Sequence, residues 1–134
     1  MEDDKFYELV ELYRNPEHFG KLEKYNYSEA GYSPSCGDKF FVYLDIENGI
    51  VKNASFDGKG CVISTVSLSK LCRFLINKPL KEIKSMELKD IKNLLGIEDL
   101  SISRVKCATV GLDAVKKIYL EVVDKDWLTY DIII

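Results

Sequence analysis

The clearest alternation of apolar and polar positions lies in the first half of the chain and predicts a β-hairpin. Residues 40–46, FFVYLDI, alternate along one strand, and residues 50–56 supply the returning strand. Asn48-Gly49 between them is the strongest short signal for a tight hairpin turn. The aromatic and small polar residues at 25–33 predict a third strand beside the hairpin. The resulting three-stranded antiparallel sheet needs helices on one face to cover its apolar side.

Helical spacing of apolar residues flanks this predicted sheet on both sides. Residues 4–14 carry apolar side chains every three or four positions and stop before Pro16. Residues 61–77 contain no glycine or proline and predict a longer helix. Further helices are predicted at 80–85 and 87–95, and a last one is predicted to begin near Cys107. The pattern predicts an α+β fold, with a small three-stranded antiparallel sheet covered by helices, in a single domain over residues 1–134.

Composition narrows the classes of function. A chain of 134 residues can bury one core, and its 46% hydrophobic and 31% charged residues are typical of a globular domain. The longest apolar runs are far shorter than a membrane span, and the acidic start MEDDKFYELVELY does not resemble a secretory signal. We therefore expect a cytoplasmic protein without a membrane partner. A net charge of −3 with scattered lysines also argues against nucleic acid as a partner.

The four cysteines are the candidate metal-binding or reactive residues of the chain. In a reducing compartment, Cys36, Cys61, Cys72 and Cys107 are expected to bind metal or to react rather than to form disulfides. Cys72 lies about three helical turns after Cys61 and next to Leu71, so it is predicted to be part of the core. The other three cysteines lie where predicted elements meet, and this placement distinguishes them from ordinary buried thiols.

Each of these three cysteines, Cys36, Cys61 and Cys107, is predicted near the end or the start of a helix or strand. Cys36 lies in the loop PSCGD, Cys61 begins a helix after a Gly-Lys-Gly turn, and Cys107 is placed at or near the start of the last helix. A helix N-terminus favours a thiolate over a thiol. Asp38 adds a carboxylate, and three thiolates with one carboxylate suit tetrahedral zinc or an iron–sulfur cluster. Asp38 could instead be a turn residue that bonds its own loop.

Four segments in order carry a resemblance to a known family: NPEHFG at 15–20, SPSCGD at 33–38, GKGCVIS at 58–64 and RVKCATVGLDAV at 104–115. Together they resemble the IscU/SufU/NifU-N family of iron–sulfur cluster assembly scaffolds. The resemblance implies a SufE/NifU-like α+β fold. It also implies a metal site at one end of the molecule.

The resemblance further implies a function and its partners. A scaffold of this kind is not an enzyme: it accepts persulfide sulfur from a cysteine desulfurase of the IscS or SufS type and takes electrons from a donor such as ferredoxin. It then builds a labile [2Fe-2S] cluster from iron and transfers it to apo iron–sulfur proteins. The implied ligands are Cys36, Asp38, Cys61 and Cys107, and each cysteine is a candidate persulfide acceptor. Zinc is an alternative occupant, and a homodimer around one cluster is compatible with this scheme.

The segment RVKCAT keeps a second interpretation open. The IscU branch has histidine before the third cysteine, whereas this chain has Lys106, as the SufU branch does. A SufU-like protein would be a zinc-dependent sulfurtransferase that uses the same four ligands and stimulates a desulfurase. Against this, Cys61 and Cys107 are only 46 positions apart (107 − 61), which is an IscU-like spacing. The charge of Lys106 is predicted to stabilise neighbouring thiolates or a persulfide, while His18 is predicted to be a surface residue.

Overall fold

The structure, a computed structural model, describes residues 3–33 and 37–125. The elements in chain order are α1 (Asp3–Arg14), β1 (Tyr27–Ser33), β2 (Asp38–Glu47), β3 (Ile50–Lys59), α2 (Val62–Leu75), a 3₁₀ helix (Leu80–Ser85), α3 (Leu88–Leu95) and α4 (Ile102–Lys125). The α+β architecture and each predicted helix and strand are confirmed, with shifted boundaries. Within these residues, no helix combines the length and the apolar character that crossing a bilayer requires.

The sheet is antiparallel in the order β1-β2-β3, as the pattern predicts. Asn48 and Gly49 both have positive φ, 53° and 78°, which is the backbone of the tight turn that their sequence favours. A register shift between Asp45 and Ile46 marks a bulge just before this turn. The hairpin thus folds from local turn chemistry, and its open end leads into the start of α2.

The hairpin is longer than predicted at this open end. Gly58 and Lys59, expected in a turn, continue β3 and pair with Phe40 and Lys39 of β2. Gly58 has φ +124°, and a Cβ atom there would collide with the carbonyl oxygen of Lys39. The glycine is therefore used for close strand contact rather than for the turn itself.

The free edge of β3 is covered by loops. The backbone of Phe56 donates to the carbonyl of His18 at 3.0 Å and accepts from the amide of Gly20 at 2.7 Å. Further along, the amide of Val51 donates to the carbonyl of Lys78. The NPEHFG segment is thus a structural cover of the strand edge, and it leads from α1 to the sheet.

The core lies between the apolar face of the sheet and helices α2 and α4. Its largest fully buried side chains are Phe40, Phe56, Leu9, Leu44, Leu68, Leu71, Leu75, Leu80, Ile83, Ile91, Leu95 and Ile118. Gly31 of β1 lies against α4, where an added Cβ would be 2.6 Å from the carbonyl oxygen of Val110. This backbone contact fixes the position of α4 relative to the sheet.

The last helix begins earlier than predicted. It starts at Ile102 rather than near Cys107, so Cys107 lies in its second turn. Ile102 is 92% exposed and residues 101–104 are all exposed, so the first turn has no apolar stripe facing the core. Hydrophobic periodicity detects a helix by its buried face and therefore missed this turn.

Candidate metal centre

Three of the four predicted ligands come together at one end of the sheet. One carboxylate oxygen of Asp38 and the sulfur atoms of Cys61 and Cys107 all lie within 4.8 Å of one another. Asp38 is the first residue of β2, Cys61 precedes α2, and Cys107 lies in α4. Cys36 lies outside the described residues, so its part in the site stays a prediction.

Asp38 is oriented by the residue it faces. Its side chain is only 3% exposed, and its Oδ1 atom accepts a hydrogen bond from the backbone amide of Cys61 at 3.0 Å. Its Oδ2 atom is buried and has no hydrogen-bond partner among the described residues. A buried carboxylate oxygen without a donor is costly unless a cation satisfies it. This atom is the strongest structural sign that the site binds a cation.

Cys61 is the N-cap of α2, which confirms its predicted position at a helix start. Its sulfur accepts hydrogen bonds from the amide and the hydroxyl of Ser64, both at 3.5 Å. The first turn of α2 therefore directs the Ser64 amide at this sulfur, while the single hydroxyl proton of Ser64 is shared between the sulfur and the carbonyl of Cys61. Cys61 is also partly exposed, so it can be reached from solvent.

Cys107 is held differently. It is fully buried, and its thiol donates a long hydrogen bond of 3.9 Å to the carbonyl of Ser103, one turn earlier in α4. The effect of a helix N-terminus on a nearby charge fades within the first turn of the helix. Cys107 lies in the second turn of α4, so the stabilisation of a thiolate that is predicted for a cysteine at the helix start does not apply to it. Cys107 contributes to the site because α4 places its sulfur atom within 4.8 Å of the sulfur of Cys61 and of a carboxylate oxygen of Asp38.

Arg104 is a cation beside the two thiols that the sequence pattern does not indicate. The pKa of Arg104 lies above its usual range, mainly because of attraction to Cys61; desolvation opposes this, and hydrogen bonding and attraction to Cys107 add to it. Arg104 precedes Cys107 by three positions and so shares its helix face. Lys106 is an exposed neighbour on a different face, and its predicted role stays a prediction. Spacing along a helix that starts at Ile102 could have identified Arg104.

The two remaining candidates lie away from this group. Cys72 is buried in the core, as predicted, and desolvation raises the pKa of its thiol to about 12. It therefore stays protonated at neutral pH and is not available as a thiolate ligand. His18 has its ring 4.0 Å from Glu17 and does not belong to the group of ligand atoms that the described residues form.

The donor set fits a thiophilic metal. Two thiolates bound to one tetrahedral zinc, each at about 2.3 Å, lie ~3.8 Å apart, which is within the observed spread of the group. Sulfur ligands suit zinc or iron–sulfur clusters, and the carboxylate supplies a harder third ligand. The site is also accessible, because Cys61 and Arg104 line a cavity of about 470 Å³ beside α1.

The chain is similar to known proteins over most of its length. Residues 5–124 match the family described as NifU-like N terminal domain. The chain is 35% identical over 107 residues to the iron–sulfur cluster assembly scaffold protein IscU of Thermotoga maritima, covering 79% of this chain and 75% of that protein. It is 28% identical over 126 residues to the zinc-dependent sulfurtransferase SufU of Bacillus subtilis, covering 81% and 84%.

A solved structure shares the fold. It is the N-terminal part of a nitrogen-fixing NifU-like protein from Brucella abortus, with a TM-score of 0.72 and 20% sequence identity. The superposition covers 91% of this chain and 97% of that one. At this identity the similarity supports the architecture alone.

Proposed function

This chain belongs to the NifU-like N-terminal domain family, which includes the IscU and SufU proteins, and from that membership we propose that it is an iron–sulfur cluster assembly scaffold. The observation that carries the proposal is the group formed by Asp38, Cys61 and Cys107, with the Oδ2 atom of Asp38 buried and without a partner. With Cys36 as the fourth ligand, the group would hold a [2Fe-2S] cluster as cargo. The protein acts as a carrier rather than as an enzyme.

Sulfur arrives as a persulfide from a cysteine desulfurase. Of the two described thiols in the site, Cys61 is partly exposed and Cys107 is fully buried, so Cys61 is the acceptor that a partner can reach. The Cys61 thiolate attacks the outer sulfur of the donor persulfide, the sulfur–sulfur bond of the donor breaks, and the donor cysteine leaves as a thiolate. A separate donor such as ferredoxin supplies electrons, and apo iron–sulfur proteins receive the finished cluster.

A second function is favoured by a specific feature. Lys106 stands before Cys107 in RVKCAT, and the chain is 28% identical to a protein named as a zinc-dependent sulfurtransferase. In that case the same ligands hold zinc, and a cysteine leaves the metal to accept sulfur. Both candidates use the same residues, so only the occupant and the product separate them.

Anaerobic reconstitution tests both candidates. Purified protein is incubated with iron, cysteine and a desulfurase, and visible absorption and Mössbauer spectra are recorded. The scaffold proposal expects a [2Fe-2S] signature in the wild type and none in a triple serine variant of Cys36, Cys61 and Cys107. Tightly retained zinc with no cluster, together with faster desulfurase turnover, would contradict the scaffold and support the sulfurtransferase.

Arg104 and Lys106 give a matched pair of charge deletions on the same helix turn. Because Arg104 lies beside both sulfur atoms, Arg104→Gln is expected to lower the rate at which a desulfurase loads persulfide onto the chain. The loss should be roughly two- to fivefold, as one solvent-screened charge allows, and it should shrink in high salt. Mass spectrometry of timed samples measures the loading.

Lys106→Gln is the control, since it removes the same charge from the exposed neighbouring position. It is expected to load at close to the wild-type rate. Equal losses in the two variants would show that the general positive charge of the region matters rather than the placement of Arg104. A larger loss in Lys106→Gln would assign the supporting charge to Lys106.

A further inference from the structure

The hydroxyl of Ser33 is an unexplained polar group at the site. Ser33 ends β1, is fully buried, and its Oγ atom has no hydrogen-bond partner among the described residues. A buried hydroxyl without a partner destabilises a fold, whereas alanine at the same place would not carry that cost. The hydroxyl of Ser33 therefore does not contribute to the stability of the fold through a hydrogen bond.

The other buried serines behave differently. Five serines are buried in the described part of the chain, and four of them donate a hydrogen bond from the side chain to a backbone carbonyl. These four are Ser55, Ser64, Ser67 and Ser69. Ser33 is the exception, and it is the one that lies opposite a candidate metal ligand.

Ser33 and Asp38 are direct partners across β1 and β2. Opposite residues of an antiparallel pair present their side chains to the same face of the sheet, here the buried face. Ser33 offers an unused donor, and Asp38 has an unused acceptor in Oδ2, yet the two are not hydrogen-bonded to each other. Two unsatisfied groups of opposite character therefore lie on paired residues of neighbouring strands, and one of them belongs to a candidate ligand.

These two groups require different atoms from an occupant. The Oδ2 atom of Asp38 requires a cation, which a metal supplies. The hydroxyl of Ser33 requires an acceptor, which a metal ion alone cannot supply. A cluster carries both, since its irons are cationic and its inorganic sulfides accept hydrogen bonds.

We propose, resting on the scaffold function, that the hydroxyl of Ser33 donates a hydrogen bond to a sulfur atom of the cluster assembled on Asp38, Cys61 and Cys107. Ser33 is then a positioning residue that does not bind iron. Hydrogen bonds to cluster sulfurs stabilise the extra negative charge of the reduced state and so raise the reduction potential. These hydrogen bonds also stabilise the bound oxidised cluster and so lengthen its lifetime on the protein.

The test compares Ser33→Ala with Ser33→Thr, which keeps a hydroxyl, and with Ser55→Ala as a control. Ser55 is also buried, but its hydroxyl donates to the carbonyl of Gly20 on the other face of the sheet. Chemical denaturation of the apo-proteins gives their stability. After anaerobic reconstitution, the lifetime of the visible absorption bands and the reduction potential are measured.

Ser33→Ala is expected to leave the apo-protein as stable as the wild type or more stable, while the cluster decays several-fold faster and has a lower reduction potential. Ser33→Thr should restore both cluster properties. Ser55→Ala should show the reverse pattern, with a less stable apo-protein and an unchanged cluster. If Ser33 had only a structural role, Ser33→Ala would instead lower the stability of the apo-protein and leave the cluster unchanged, as Ser55→Ala does.

Two outcomes overturn the inference. A Ser33→Ala cluster with wild-type lifetime and potential would show that the hydroxyl does not contact it, whatever the stability of the apo-protein, and the scaffold function would stand. A wild type that forms no cluster at all would overturn the scaffold function and this inference with it.

Discussion

Replacing Cys61 or Cys107 with serine is expected to lower the cluster retained after anaerobic reconstitution by far more than tenfold. The loss of a residue that merely supports a metal ligand costs about 10–100-fold in affinity, so the loss of a soft thiolate ligand should cost at least as much. The amount of cluster is read from visible absorption per protein after gel filtration. Serine keeps the size of the side chain, so the apo-proteins should fold.

Cys72→Ser is the matched control, because it changes the same atom in a cysteine that lies in the core. Desolvation raises the pKa of that thiol to about 12, and the side chain is 1% exposed. The variant is expected to be less stable, since a hydroxyl replaces a buried thiol, but to retain its cluster. Cluster loss in Cys72→Ser equal to that in Cys61→Ser would contradict the assignment of the site.

The two ligand variants should differ from each other in sulfur loading. Cys61 is partly exposed at the N-cap of α2, whereas Cys107 is fully buried in α4. Cys61→Ser should therefore abolish persulfide transfer from a desulfurase to this position. Cys107→Ser should still accept sulfur on Cys61 while failing to retain a cluster. Mass mapping of the loaded cysteine separates the two effects.

The sequence was sufficient to predict the hairpin and the position of Cys61 because the signals there are local. Asn48-Gly49 specifies its turn through positive φ angles that few other residues tolerate. Cys61 follows a Gly-Lys-Gly run and precedes an unbroken helical segment, so its position at the start of α2 could be read directly. These features depend on residues adjacent in the chain, which is where pattern analysis is strongest.

The start of α4 could not be predicted in the same way. Its first turn faces solvent, with Ile102 92% exposed, so no apolar spacing announces it. Because this first turn is not predicted, the predicted helix starts near Cys107 and does not include Arg104. Arg104 lies about one turn before Cys107, on the same face of α4. The sequence pattern consequently predicts the supporting charge at Lys106, next to the cysteine in sequence. Neighbours in a helix are three or four positions apart, and this rule applies only once the helix is known.

The extent of β3 depended on tertiary contact. Glycines at 58 and 60 predict a turn, since glycine often supplies unusual backbone angles. Gly58 is instead needed because the carbonyl of Lys39 leaves no room for a Cβ atom. The same strand extension brings Cys61 close enough for its amide to donate to Asp38. Strand contact across the sheet, which the local pattern does not encode, therefore sets the geometry of the site.

Asp38→Cys is expected to hold a reconstituted cluster about tenfold longer against transfer to an apo-ferredoxin. A carboxylate oxygen is a harder and weaker partner for iron than a thiolate, so Asp38 is the ligand that an acceptor protein displaces most easily. Its Oδ1 atom can keep the hydrogen bond from the Cys61 amide while Oδ2 leaves the metal, and thus the site can open without local unfolding. Transfer is followed by the absorption of the loaded ferredoxin.

Asp38→Asn separates the two tasks of this side chain. Its amide oxygen can still accept from the Cys61 amide, so the junction between β2 and α2 should remain intact, but it offers iron a neutral and weaker ligand. This variant should lose its cluster faster than the wild type, while Asp38→Cys loses it more slowly, even though cysteine gives up the hydrogen bond to Cys61. If Asp38→Cys transfers its cluster at the wild-type rate, another step limits transfer, and the carboxylate serves to align the start of α2.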